Sequence, residues 1–225
     1  MGLALFVRLG IWQLDRAQQK TDALSAFASG AKAPPRAFLS LPTELAQGDY
    51  PHVVLSGHFD LNHTYLLDNQ MHNGMPGLNV IGVFLIANDA RGLLVNLGWI
   101  SRLRDRQAPL ALPSLPSGTV ELTGLYAPLP GIGVRLGSNP LPQQNQWPKL
   151  VTYLDLDDIQ VDLARKLFAR LLLLDPEVNT EFVRDWQPHT MPPEKHRAYA
   201  AQWFSLALAV LVIFILMHYR KREET

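Results

Sequence analysis

The chain has 225 residues, 20 basic and 20 acidic, so its formal net charge is zero and no long-range field steers it toward nucleic acid or acidic substrates. It contains no cysteine, which excludes disulfides, thiolate metal sites, CxxC redox chemistry and cysteine nucleophiles. The 17 prolines and 15 glycines point to many short elements joined by turns.

The opening stretch MGLALFVRLGIWQL is apolar but is interrupted by Arg8, and alone it is too short to cross a bilayer. It has neither the basic start nor the small-residue cleavage site of a signal peptide. Residues 1–12 are therefore expected to be the outer end of a first transmembrane helix that begins ahead of this sequence. From Gln13 to Lys32, Leu14, Ala17, Ala23, Leu24 and Phe27 recur at helical spacing. That helix should continue from the first span and stop near Gly30 and Pro34.

Short segments follow. Tyr50–Asp60 reads as a strand, with His63–Gln70 as its hairpin partner. Asn79–Ala87 and Leu93–Ile100, joined by a polar Asn-Asp-Ala-Arg-Gly turn, read as a second hairpin. Further strands are expected at Thr119–Leu125 and Leu150–Leu154. Gln107–Ser117 and Leu129–Pro148 are rich in proline and glycine and read as loops. Asp155, Asp157 and Asp158 precede IQVDLARKLFARLLL as an acidic helix start, with Leu171–Leu174 as an alternative strand. Phe182–Trp186 reads as a strand or edge. Strands in succession without regular strand–helix alternation predict a mostly antiparallel β domain, with a barrel-like curl as one form it can take.

Tyr199–Tyr219 carries no charged residue. Roughly 20 apolar residues at ~1.5 Å each match the ~30 Å hydrocarbon core. Tyr199, Trp203 and Tyr219 lie near its ends, where amphipathic rings favour the interface. A core helix is the competing reading. Arg220, Lys221 and Arg222 place the short tail in the cytoplasm by the positive-inside rule. The expected fold class is thus a membrane-anchored α+β protein: residues 13–197 form an extracytoplasmic domain, residues 198–219 a transmembrane helix and residues 220–225 a cytoplasmic tail.

Catalytic patterns are scarce: Gly-x-Ser-x-Gly, HExxH and Walker motifs are absent. Gly131–Gly137 has the wrong spacing for a dinucleotide fingerprint and reads as turn glycines. His52, His58, His63 and His72 match no metal signature, although His58 and His63 would face each other across the expected hairpin. The aspartates at 155–158 read as helix capping rather than paired catalytic carboxylates. Asn62-His63-Thr64 is a glycosylation sequon only in a eukaryotic secretory route.

At ~100° per residue, His196, Tyr199, Ala200, Trp203 and Ala207 share one helix face. Ala201, Ser205 and Ala209 occupy the opposite face, where small residues admit a neighbouring helix. His218 returns to the first face at the other membrane surface. An imidazole at the mouth of a span fits an axial haem ligand and fits equally an ordinary interfacial side chain.

Four blocks in order resemble the SURF1 family, membrane proteins that assist assembly of haem–copper cytochrome c oxidase. They are Leu9-Gly10-Ile11-Trp12-Gln13 with Arg16 and Lys20; Gly57-His58-Phe59 with Leu67-Asp68-Asn69 and Gly74-Met75-Pro76-Gly77; Leu94–Trp99; and His196 with Tyr199-Ala200 and Trp203-Phe204. The family usually carries arginine where Leu97 stands and another near Gln70, and often threonine where Gln202 stands. The resemblance implies a two-span inner-membrane protein with an extracytoplasmic domain. The absence of an arginine-rich transit segment points to a bacterial rather than a mitochondrial inner membrane, and so to a periplasmic domain. The resemblance further implies haem a as cofactor, with His196 as axial ligand to the haem iron and Tyr199 and Trp203 shaping the pocket. The implied partners are the oxidase catalytic subunit, haem a synthase and the lipid bilayer, and the implied activity is ligation rather than enzymatic turnover. A haem-independent scaffold and a membrane-tethered hydrolase are the alternatives.

Overall fold

The computed structural model describes residues 2–46, 48–87, 89–102, 112–131, 139, 141–177, 180–188 and 191–223, without the side chains of 218 and 220–223. Most of the Gly131–Gly137 stretch, much of the two Pro/Gly-rich segments and the end of the tail lie outside these residues. The chain divides into two compact units: Met1–Phe27 with Pro188–Thr225, and Ala28–Gln187.

The second unit is built on one mixed sheet. Its strands are β1 (Arg36–Ala37), β2 (His52–His72), β3 (Met75–Ile86), β4 (Gly92–Ser101), β5 (Val120–Pro128), β6 (Lys149–Val151) and β7 (Leu167–Leu174). Their order is β1-β2-β3-β4-β7-β5, and β5 pairs again with β2 while β6 pairs with β2 alone. The hydrogen bonding therefore runs from β2 through β3, β4, β7 and β5 back to β2. The sequence pattern predicted a mostly antiparallel domain, but three pairings are parallel: β1–β2, β2–β6 and β4–β7.

The expected hairpin between residues 50–60 and 63–70 does not form. These residues are one strand of 21 residues, β2, and β3 runs antiparallel along it from Gly57 to His72. The polar Asp60–His63 stretch marks an irregularity in register, not a reversal. There Asp60 accepts the Asn62 N–H at 3.1 Å and lies 2.7 Å from His63 Nδ1, so turn-forming side chains bend the strand without ending it. The reversal occurs instead at Asn73-Gly74, with φ of 49° and 76°. Two successive positive φ values are what a two-residue hairpin turn needs, and Asn-Gly supplies them. The second expected hairpin, β3–β4, is present.

Both sheet faces are covered. Val53, Leu55, Phe59, Phe84, Val95 and Leu172 belong to one apolar cluster. Tyr65, Leu67, Ile81, Leu94, Leu171 and Ile159 belong to the other. Ile159 comes from α2 (Leu156–Leu163), whose N-cap is Asp155, accepting from the N–H groups of Asp157 and Asp158. This helix is shorter than the pattern predicted. Ala164 turns left-handed at φ 48° and donates to the carbonyls of Gln160 and Val161, and the leucine-rich run after it becomes β7. Leucine favours helix, yet β7 is hydrogen-bonded to β4 and β5 and buried on both faces, so tertiary pairing overrides propensity.

The Gly-Trp pair closes one corner. Gly98 has φ of +135°, and a Cβ there would lie 2.6 Å from Phe182 Cβ. Trp99 and Val183 exchange both backbone hydrogen bonds, at 2.8 and 2.9 Å, which reduces the expected strand at 182–186 to a single bridge. Trp99 Nε1 donates to the Gln70 carbonyl at 3.0 Å. Leu97 is 3% exposed, in the core.

Within the second unit, His52 ties the backbone just after α1 (Gly2–Lys32) to the sheet. Its Nδ1 lies 2.6 Å from the Ala33 carbonyl and its Nε2 lies 2.8 Å from Asp175 Oδ2. Two acceptors on one ring require both nitrogens to carry hydrogen, which is the imidazolium. Burial alone pushes its pKa down, but the Ala33 and Asp175 hydrogen bonds and the Asp175 charge outweigh this and hold it above its ordinary value. A raised folded pKa stabilises fully below the unfolded value of about 6.5 and is lost as pH rises through the folded one. The chemical-denaturation midpoint of the full chain in detergent should therefore fall on raising pH from about 6 to about 9, and the His52→Leu variant should show a flatter curve. Parallel curves would remove His52 as the cause.

Candidate functional site

The first unit contains α3 (Pro193–Glu223) and most of α1. Pro193 starts α3 where a missing N–H costs nothing, and Glu194 lies in the first turn, favourable to the helix dipole. The Glu194–Arg197 pair is 4.0 Å apart and largely exposed, so it adds little. Apolar character governs the rest. Among the described residues α3 is the one helix long and apolar enough to cross a membrane, over Pro193–Met217 with mean hydropathy 2.3. Leu208, Phe214 and Leu216 are about three-fifths exposed, at 61%, 57% and 59%, as a lipid-facing surface requires.

The two helices pack through small residues. Gly10 and Ala17 are the buried positions of α1; on α3, beyond Pro193 at its start, Ala200 and Ala207 are the buried positions among the described side chains, at 1% and 4% exposure. Each pair is spaced by one heptad, which keeps it on a single seam. This corrects the expected packing side. Ala201, Ser205 and Ala209 are exposed, and the face bearing His196, Ala200, Trp203 and Ala207 meets α1. A Cβ on Gly10 would come 2.7 Å from the Phe204 ring, so glycine there permits the close approach.

Two contacts flank that approach. His196 Nδ1 lies 2.7 Å from Gln13 Oε1. Phe6 and Trp203 stack with centroids 5.8 Å apart and planes at 23°, worth ~0.5–1.5 kcal/mol beyond area burial. Stepping back from Gln13 to Phe6 on α1 matches stepping forward from His196 to Trp203 on α3, as antiparallel helices require. Of the three expected site residues, His196 and Trp203 thus lie on the seam, while Tyr199 is 44% exposed beside it. His196 is partly exposed, and its Nε2 has no hydrogen-bond partner among the described residues. The side chain of His218 lies outside the description. Gln13 did not stand out in the sequence as a site residue. Its signal was its place three residues after Gly10 on one face, but its partner is 183 residues away.

The other histidines do not converge. His63 meets Asp60 and the edge of Trp147, with centroids 4.7 Å apart. His72 lies against Trp99 at 5.2 Å, and His58 is exposed on the same strand as His63 rather than opposite it. Among the described residues no group of three His, Cys, Asp or Glu side chains could hold a metal ion. Asp162 is held by Tyr65 Oη at 2.8 Å and Lys149 Nζ at 2.5 Å. Burial, then Asp162, pushes the Tyr65 hydroxyl pKa far up, so this network braces α2 against the sheet.

A sheet-rich domain, flanked in sequence by two helices of which the last is long and apolar enough to span a membrane, is compatible with the class of membrane-anchored proteins. The SURF1 family profile matches residues 1–208, and the chain belongs to that family. It is 24% identical to a SURF1-like protein of Monosiga brevicollis over 93% of this chain and 82% of that protein. It is 24% identical to a SURF1-like protein of Rickettsia conorii, over 97% and 88% of the two chains. A SURF1-like protein of Rickettsia felis is 25% identical over 94% and 91%.

The close approach at Gly10 has a direct consequence. Gly10→Leu should lower the thermal midpoint of the detergent-solubilised protein and raise the exposure of Trp203 to aqueous quenchers. Gly2→Leu, where a Cβ would meet nothing within 4 Å, should change neither. Equal effects of the two substitutions would refute the seam.

Proposed function

We propose that this protein is a membrane-anchored assembly factor for haem–copper cytochrome c oxidase that holds or passes on haem a through His196. The observation that carries the reading is an imidazole at the opening turn of a membrane-spanning helix, with Nδ1 held by Gln13 and Nε2 unengaged among the described residues. Neutral imidazole nitrogen is an ordinary axial donor to haem iron, so the donor chemistry fits. Haem a would supply the iron and its redox chemistry; the chain's own part is to bind and orient it. His196 offers the donor atom, the Phe6–Trp203 stack stiffens the seam behind it, and Tyr199 stands exposed at its side. Family membership supports the link to oxidase assembly, with the catalytic subunit and haem a synthase as partners.

The proposed placement is a multi-pass protein of a bacterial inner membrane, with the sheet domain periplasmic and the tail after α3 cytoplasmic. The basic cluster Arg220-Lys221-Arg222 supports that orientation, and the exposed apolar side chains Leu3, Leu5, Val7 and Ile11 of α1 support a second membrane-embedded helix.

Purified from cells that make haem a, the parent should show a haem absorption spectrum that is lost or strongly reduced in His196→Ala. Equal haem in both would remove His196 as ligand, and haem in neither would favour a scaffold that recruits subunits alone. For topology, a reporter fused after Thr225 should score as cytoplasmic; extracytoplasmic activity there would reverse the orientation.

A further inference from the structure

Resting on the reading of His196 as the iron ligand, we propose that Gln13 is its positioning residue, holding the ring as the Nδ1–H tautomer with the lone pair on Nε2. The amide oxygen of Gln13 stands 2.7 Å from His196 Nδ1. That oxygen has no hydrogen to give, so Nδ1 donates. A neutral imidazole has one N–H, and the lone pair then falls to Nε2. Ligating histidines are commonly set this way by an acceptor on the second nitrogen, which fixes both ring orientation and basicity.

The surrounding packing makes Gln13 a fixed acceptor rather than a passing one. It lies between the buried positions Gly10 and Ala17 of α1, and the contact of Gly10 with Phe204 brings α1 and α3 to close approach. Ala200, one turn beyond His196, is 1% exposed. The bond therefore depends on the seam, and the seam sets where the ring points. An interfacial histidine serving only as filler needs no acceptor from another helix, because water satisfies it.

The test reads the ring itself. In haem-free protein carrying ¹⁵N-histidine, the His196 signals are assigned by their loss in His196→Ala, and their shifts report which nitrogen bears hydrogen. The parent is expected to show Nδ1–H. Gln13→Met, similar in length without an acceptor, should lose that preference. Gln13→Asn, which withdraws the oxygen by one methylene, should lose it in a polar variant. Gln19→Met is the control: Gln19 is exposed and accepts from Arg16 at 2.9 Å, so the parent tautomer should persist. An unchanged tautomer in both Gln13 variants overturns the proposal. On haem titration, Gln13→Met should weaken binding roughly 10- to 100-fold while keeping His196 as ligand, and unaltered affinity would also overturn it. Haem content of the parent and of His196→Ala, scored separately, reports on the functional reading, so the two failures are distinguishable.

Discussion

The sheet depends on one constraint: β2 is long enough to give hydrogen bonds to four other strands. Its first part pairs with β1 and β5, its greater length with β3, and residues Tyr65–Leu67 with β6. Because β5 returns to β2, the five strands β2, β3, β4, β7 and β5 form a continuous circuit of pairing. Unpaired strand edges leave backbone groups open to association, and the circuit satisfies them within the chain. The irregularity at Asp60–Thr64 lets one strand serve different partners along its length.

Side-chain clamps then hold the loops to that frame. Arg170, 8% exposed on β7, donates to the carbonyls of Asp49, Leu45 and Ala46 at 2.6, 3.2 and 2.5 Å. Arg184 donates to the carbonyls of Leu97 and Asp175 at 2.8 and 3.0 Å. A buried guanidinium is costly unless its fork is filled, and these loop carbonyls fill it. The histidine seam obeys the same rule on a smaller scale. His196 is only partly exposed, and a side-chain acceptor from α1 satisfies one nitrogen.

How much was legible in the sequence differs by element. The second hairpin, the capped start of α2 and the apolar helix were readable because their signals are local: alternation, an Asp cap and an uninterrupted apolar run. The extent of β2 was not, since Asp60–His63 has turn composition and only pairing with β3 shows that the chain does not reverse there. Asn73-Gly74 was a stronger turn signal and marked the true reversal. The end of α2 was hidden because its leucines suit helix or buried strand alike. The packing side of α3 was misread because small residues occur on both faces, and burial on α1 decides which face is used.

By itself the sequence determined the local chemistry: a histidine at the mouth of an apolar helix, a capping aspartate and a cysteine-free core. It also determined family membership, since those blocks occur in order along nearly the whole chain. Only the tertiary structure decided which strands pair in parallel, that β5 returns to β2, and that Gln13 meets His196. Those outcomes depend on contacts between residues far apart in the chain, and short-range periodicity holds no record of distant partners.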